Sequence, residues 1–95
     1  MPYLSVVAPN YNEEKNLQRG VLDEILGYLR SQKYTWEMIL VNDGSTDHTL
    51  FILQEFSHLH PEVKVVDNPH MGKAASIITG AQHASGEFVL FTDMD

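Results

Sequence analysis

The chain has 95 residues, is 43% hydrophobic and 9% aromatic, and carries a formal net charge of -7 from 13 acidic and 6 basic residues. These are values of one small globular domain, and the acidic balance excludes nonspecific nucleic-acid binding, which rests on phosphate neutralisation by Lys and Arg. With no Cys, no apolar run near the ~20 residues of a membrane span and no basic lead into an apolar stretch, the expectation is a soluble, cytoplasmic domain without disulfides or thiolate metal sites.

Leu4 to Ala8 is a short apolar run that stops at Pro9, as a buried parallel strand does. A helix is expected from about Glu13 to Arg30. Leu17, Val21, Ile25 and Leu29 recur every fourth residue, and Leu22 and Leu26 widen the stripe. Asn12 is its candidate N-cap, with Glu13 and Glu14 in the first turn where the helix dipole favours carboxylates. Trp36 to Val41 reads as the second strand. Ser45, Thr46 and Asp47 then offer capping oxygens to a helix ending near Leu59, expected to bury Ile52, Phe56 and Leu59 before Pro61 stops it. Val63 to Val66 is a third strand, closed by Asp67-Asn68-Pro69. Gly72 to Ala84 is a third helix whose Ala74, Ala75 and Ala81 suit tight packing, and Phe88 to Thr92 is a fourth strand. Strands and helices alternate as βαβαβαβ with short connections, which implies a three-layer, Rossmann-like parallel sheet with right-handed crossovers. The expected spatial order is 3-2-1-4, because the third helix must return the chain across the first strand to bring Asp93 beside Asp43.

In such a sheet the polar strand ends share one edge, where open α/β folds bind ligands. Asp93-Met94-Asp95 follows four apolar residues, and two carboxylates at that spacing can meet a hard divalent cation that also binds phosphate oxygens. A merely polar chain end is the plain alternative. Asn42-Asp43-Gly44-Ser45-Thr46-Asp47 closes the second strand; a carboxylate there accepts from a base N–H or a ribose hydroxyl, unless the segment is only an Asx-capped turn. Pro9-Asn10-Tyr11-Asn12-Glu13 closes the first strand, with Tyr11 able to stack on a base and Glu13 to accept from base or sugar. Gly72 allows close backbone approach, and Lys73 is poorly placed for its helix dipole, which suits an external anion. The spacing of a P-loop is absent, as is Gly-x-Gly-x-x-Gly. The five His residues lie apart and read as solvated or structurally satisfied.

Together, the segments 8–14 and 41–47, the Gly72-Lys73 loop and Asp93-Met94-Asp95 resemble the family 2 glycosyltransferases over essentially the whole chain. The Gly72-Lys73-Ala74-Ala75 helix start and Gly86-Glu87-Phe88 look most like the polyprenyl-phosphate sugar transferases, the dolichyl-phosphate mannose and glucose synthases among them. The resemblance implies a truncated GT-A domain, residues 1–95 being the nucleotide-sugar-binding half. It implies Pro9, Tyr11, Glu13, Asp43, Lys73 and Asp93 as nucleotide-binding residues. Asp93 and Asp95 would be the catalytic, metal-holding pair, with Mg²⁺ or Mn²⁺ as cofactor. Two departures stand out: Asn42 where the family often has Asp, and Asn10 where it has a small or hydroxylated residue.

The expected activity is transfer of a sugar from a UDP- or GDP-linked donor to a polyprenyl phosphate, with the full-length protein peripheral at a membrane. The piece by itself would lack the acceptor half, be inactive, and associate as a homodimer through its unpaired apolar fourth strand. A sugar-nucleotide pyrophosphorylase would need a Gly-rich, basic first loop, and a non-catalytic nucleotide-binding or assembly module is the further alternative. The residues leave the base, the sugar and the acceptor open.

Overall fold

The structure, a computed structural model, describes residues 1–93. The elements run β1 (Leu4–Asn10), α1 (Glu14–Gln18), α2 (Val21–Arg30), β2 (Trp36–Asp43), α3 (Thr49–Leu59), β3 (Val63–Asn68), α4 (Lys73–His83) and β4 (Phe88–Phe91). All four strands are parallel and lie in the order β3-β2-β1-β4, the order read from the sequence. Register sets Asn10 opposite Asn42 and Asp43 opposite Asn68. The polar strand ends therefore do share one edge.

Strand alternation divides the core into two faces. Val6, Ala8, Met38 and Leu40 point towards Leu17, Leu22, Leu26, Leu29, Leu53 and Phe56 of α1, α2 and α3. Val7, Ile39 and Val41 form the opposite face, which α4 covers. The two middle strands are buried on both sides and accordingly read as continuous apolar runs. Gly80 makes the α4 contact close: a Cβ there would collide with the Val7 side chain. The small residues that fit α4 to the sheet are thus Ser76 and Gly80, both buried, while Ala74 and Ala81 face solvent.

The single helix expected from Glu13 to Arg30 is two helices. Gly20 adopts a left-handed φ of 87°, breaking the ladder between α1 and α2. The break turns α2 so that Leu22, Leu26 and Leu29 are its buried residues, with Val21 and Ile25 only partly covered. Asn12 is not the N-cap; it sits at φ 51° one residue earlier, and its side chain serves another loop. Leu59, expected in the core, is 73% exposed, because the inward face of α3 runs through Thr49, Leu53 and Phe56.

At the end of the sheet opposite those polar strand ends, Glu37 is buried and fully engaged. Its Oε2 accepts from the Ser5 hydroxyl at 2.6 Å, the Ser85 amide at 2.7 Å and the Ser85 hydroxyl at 2.9 Å, while Oε1 is 3.1 Å from Lys64 Nζ. Burial alone would push this carboxyl up; the hydrogen bonds from Ser5, Ser85 and Lys64 outweigh it and hold it down at about 2. The Gly86 amide donates to Ser5 Oγ at 2.8 Å, and a Cβ on Gly86 would stand 2.8 Å from the Ser5 nitrogen. This cluster starts β4, which pairs with β1 alone and leaves Phe88, Val89, Leu90 and Phe91 exposed.

Candidate functional site

Two loops at the C-terminal edge of the sheet are tied together by exchanged helix caps. The Glu14 amide, at the start of α1, is 3.4 Å from Asp47 Oδ2, and the His48 amide, at the start of α3, donates to Glu14 Oε1 at 3.0 Å. The Glu13 amide donates to Thr49 Oγ1, the Asn12 amide to Ser45 Oγ, and the Thr46 amide to Asn12 Oδ1. Asp47 also accepts the Thr49 amide at 2.9 Å, so of the three oxygens expected to cap α3 it is the one that reaches the helix's first amide, although His48 holds the N-cap position. Burial pushes the Asp47 carboxyl up, but these donors prevail and hold it below the usual range. Helix starts have orphan N–H groups, and here each start is satisfied from the other's loop. Asn42 belongs to the same framework: its Nδ2 donates to Asp67 Oδ1 at 2.9 Å and its Oδ1 accepts from Ser45 at 2.6 Å. A carboxylate at 42 would face Asp67, which accounts for the amide.

Asp43 organises the third loop. Its Oδ1 accepts the Met71 amide at 2.7 Å, and Oδ2 accepts the Gly72 amide at 3.1 Å. His70 Nδ1 lies 3.1 Å from Oδ2 and 3.1 Å from the Asp43 carbonyl. Two acceptors facing one ring nitrogen make Nδ1 the protonated, donating atom. Gly44 permits this approach, since a Cβ there would lie 2.8 Å from His70 Cβ, and its φ of 63° favours glycine independently. The His70 ring stacks on Tyr11, with centroids 4.2 Å apart and planes 25° apart.

At the far side, Lys73 Nζ is 2.6 Å from Asp93 Oδ1. The cation at the start of α4, unfavourable for the dipole, has a carboxylate of this chain beside it. Asp93 arrives there because the Thr92 amide continues the β4 ladder, donating to the Val7 carbonyl at 3.0 Å.

These residues form a cleft of about 280 Å³ lined by Pro9, Tyr11, Glu13, Asp43, Lys73 and Asp93, together with His70, Gly72 and the buried Asn10 and Ser76. All six nucleotide-binding positions expected from the sequence line it. Asp95, the second expected metal ligand, lies outside the described residues. Asn10 Oδ1 and Ser76 Oγ are buried at this cleft without a hydrogen-bond partner. Glu13 Oε2 is engaged by Asn16 Nδ2 at 2.8 Å, so that carboxylate is positioned from its own helix. Sequence reasoning passed over His70 with the other histidines; its place two residues before Gly72, in the loop that meets Asp43, was the available signal. The cleft can hold a flat ring beside Tyr11 and an anion beside Lys73.

The family model described as "Glycosyl transferase family 2" matches residues 5–95. A dolichyl-phosphate beta-glucosyltransferase of Trichomonas vaginalis is 43% identical over 98% of this chain and 30% of its own length. Its Drosophila melanogaster counterpart is 36% identical over 97% of this chain, again 30% of the relative. Among solved structures, a Pyrobaculum calidifontis mannosyltransferase in complex with GDP-Man and Mn²⁺ superposes with a TM-score of 0.77 at 31% identity, covering 99% of this chain and 28% of that one. S. aureus TarS with UDP-GlcNAc gives 0.77 at 33%, covering 98% and 26%. The chain thus spans about 30% of the length of the curated relatives it matches. Its parallel 3-2-1-4 sheet is the one these GT-A enzymes share, and the chain belongs to glycosyl transferase family 2.

Proposed function

We propose that residues 1–95 are the nucleotide-sugar-binding part of a metal-dependent glycosyltransferase that moves a sugar from a nucleoside diphosphate to a polyprenyl phosphate. The observation that carries this reading is that one cleft at the strand ends is lined together by Pro9, Tyr11, Glu13, Asp43, Lys73 and Asp93. The donor class is supported by the GDP-Man and UDP-GlcNAc of the structural neighbours, and the acceptor class by the dolichyl-phosphate relatives. No helix among the described residues is long and apolar enough to cross a membrane. The dolichyl-phosphate relatives support a reading of a cytoplasmic domain peripheral at the lipid surface.

The donor set suits a divalent ion of the Mg²⁺ or Mn²⁺ kind. Asp93 offers hard carboxylate oxygens, half exposed in the cleft lining, and such ions are held by one or two carboxylates together with substrate phosphates. Asp95 is the second carboxylate of this proposal. When bound, the ion supplies Lewis-acid stabilisation to the departing diphosphate. The chain's own residues do the rest: Tyr11 gives a flat face to the base, Asp43 an acceptor to base or ribose, and Lys73 a positive charge to the diphosphate. A phosphate acceptor is already anionic and needs no strong base to attack the anomeric carbon. The exposed apolar β4 further supports self-association of the 95-residue chain as a two-fold dimer.

Calorimetry with UDP, GDP and their sugars at millimolar concentration and Mn²⁺ or Mg²⁺ present tests the reading. Metal-dependent binding of one nucleotide series is the expected result. Absence of binding by every nucleotide defeats the donor-site assignment.

A further inference from the structure

Tyr11 and Asp43 are the two residues that the reading above gives to the base, one for stacking and one for accepting a hydrogen bond. In the structure, a single side chain holds both. The His70 imidazole, a flat heteroaromatic ring, stacks on Tyr11 at 4.2 Å and approaches Asp43 Oδ2 with Nδ1 at 3.1 Å. Asp43 is 4% exposed at its side chain although it lines the cleft.

We infer that His70 occupies the base position of this cleft, making on Tyr11 and Asp43 the contacts a nucleobase would make, so that a nucleotide binds by displacing it. The inference rests on the nucleotide-binding reading.

The surroundings are built for movement of the side chain and not of the loop. The His70 backbone is seated on Gly44, where a Cβ would lie 2.9 Å from His70 Cα. The Met71 and Gly72 amides reach Asp43 directly, with no part taken by the imidazole. The ring itself is 56% exposed, held by one stack and by Nδ1 alone. Swinging it outward uncovers the face of Tyr11 and clears the approach to Asp43 Oδ2 and to the Asp43 carbonyl. The ligand that restores both is a flat ring bearing an N–H donor, the description of a uracil or guanine base. A ligand without a ring, such as pyrophosphate beside Lys73, has no need to move His70.

Removal of the ring is the test. If the cleft is open about a tenth of the time, the apparent affinity of a nucleotide is about tenfold below its intrinsic value. His70→Ala is then expected to bind UDP or GDP with Mn²⁺ about tenfold more tightly than the wild type, with pyrophosphate and Mn²⁺ unchanged. Equal or weaker nucleotide binding by His70→Ala overturns the inference; if the wild type binds normally, the nucleotide reading survives that result. No nucleotide binding by either protein removes both. Binding by the variant alone supports both. A readout on the unmodified protein guards against a folding defect: the His70 ring proton signals, shielded by Tyr11, move towards those of a free imidazole as nucleotide is added. Signals that stay in place while nucleotide binds overturn the inference.

Discussion

Glu37 and Ser85, separated by 48 residues in the chain, meet through a 2.7 Å hydrogen bond from the Ser85 amide to Glu37 Oε2. This contact joins a central strand to the turn that launches β4, and β4 in turn carries Asp93 to the cleft.

Replacing Glu37 tests that link. Because the folded carboxyl is held at about 2, below its ordinary value of about 4.3, its contribution is fully present above about pH 4.3 and is lost as the pH falls towards 2. Glu37→Gln should cost about 2–3 kcal/mol at neutral pH, and its stability should vary less than the wild type's between pH 4.3 and 2. Urea denaturation of both proteins across that range measures the difference. Equal midpoints at neutral pH defeat the claim.

Asp43→Ala should weaken nucleotide binding by about 1.5–3 kcal/mol, the usual effect of losing a charge-assisted hydrogen bond. Part of this loss passes through the loop, since the Met71 and Gly72 amides lose their acceptor. Amide hydrogen exchange should report faster exchange at Met71 and Gly72 than in the wild type. Unchanged exchange there would contradict the tethering role.

Gly80→Ala should destabilise the fold by about 1–3 kcal/mol through overpacking against Val7. Alanine ordinarily improves a helix, by up to about 1 kcal/mol over glycine, so the sign of the effect is diagnostic. A thermal melt showing a gain in stability would refute the close approach of α4 to the sheet.

The association of the chain is open to sedimentation. Phe88, Val89, Leu90 and Phe91 are all exposed on a strand paired along one side, and an unpaired apolar edge templates pairing. A dimer is expected at high concentration, and Val89→Lys together with Leu90→Lys should return it to a monomer. A wild-type chain that remains monomeric sinks the proposal.

The topology was legible because the apolar runs at 4–8, 36–41, 63–66 and 88–91 each give way to polar, loop-forming residues, and connection length did the rest; the first three strands run two residues further than the apolar runs, to Asn10, Asp43 and Asn68. The convergence of the cleft residues followed from that topology alone. What escaped was tertiary. The exchange of caps between Glu14 and Asp47 joins residues 33 apart, beyond any local spacing rule, and of the three expected capping oxygens it leaves Asp47 to the start of α3 and Ser45 to Asn12 and Asn42. Gly20 lay inside an unbroken apolar stripe, so periodicity ran through the left-handed turn that splits the helix. Leu59 fits a helical stripe by spacing, yet the face of α3 that the sheet buries runs through Thr49, Leu53 and Phe56 and leaves it outside. His70 acquired its place only from where Asp43 ended up.

The pairing of β1 with β4 also sets a timetable for synthesis. Of the four strands, β1 is made first and pairs with β4, made last, so Tyr11 emerges long before the Asp93 carboxylate that shares its cleft. Until then β1 exposes one bare edge to every neighbouring nascent chain. The cleft is therefore the last part of these 95 residues to be completed, formed only once β4 has paired with β1.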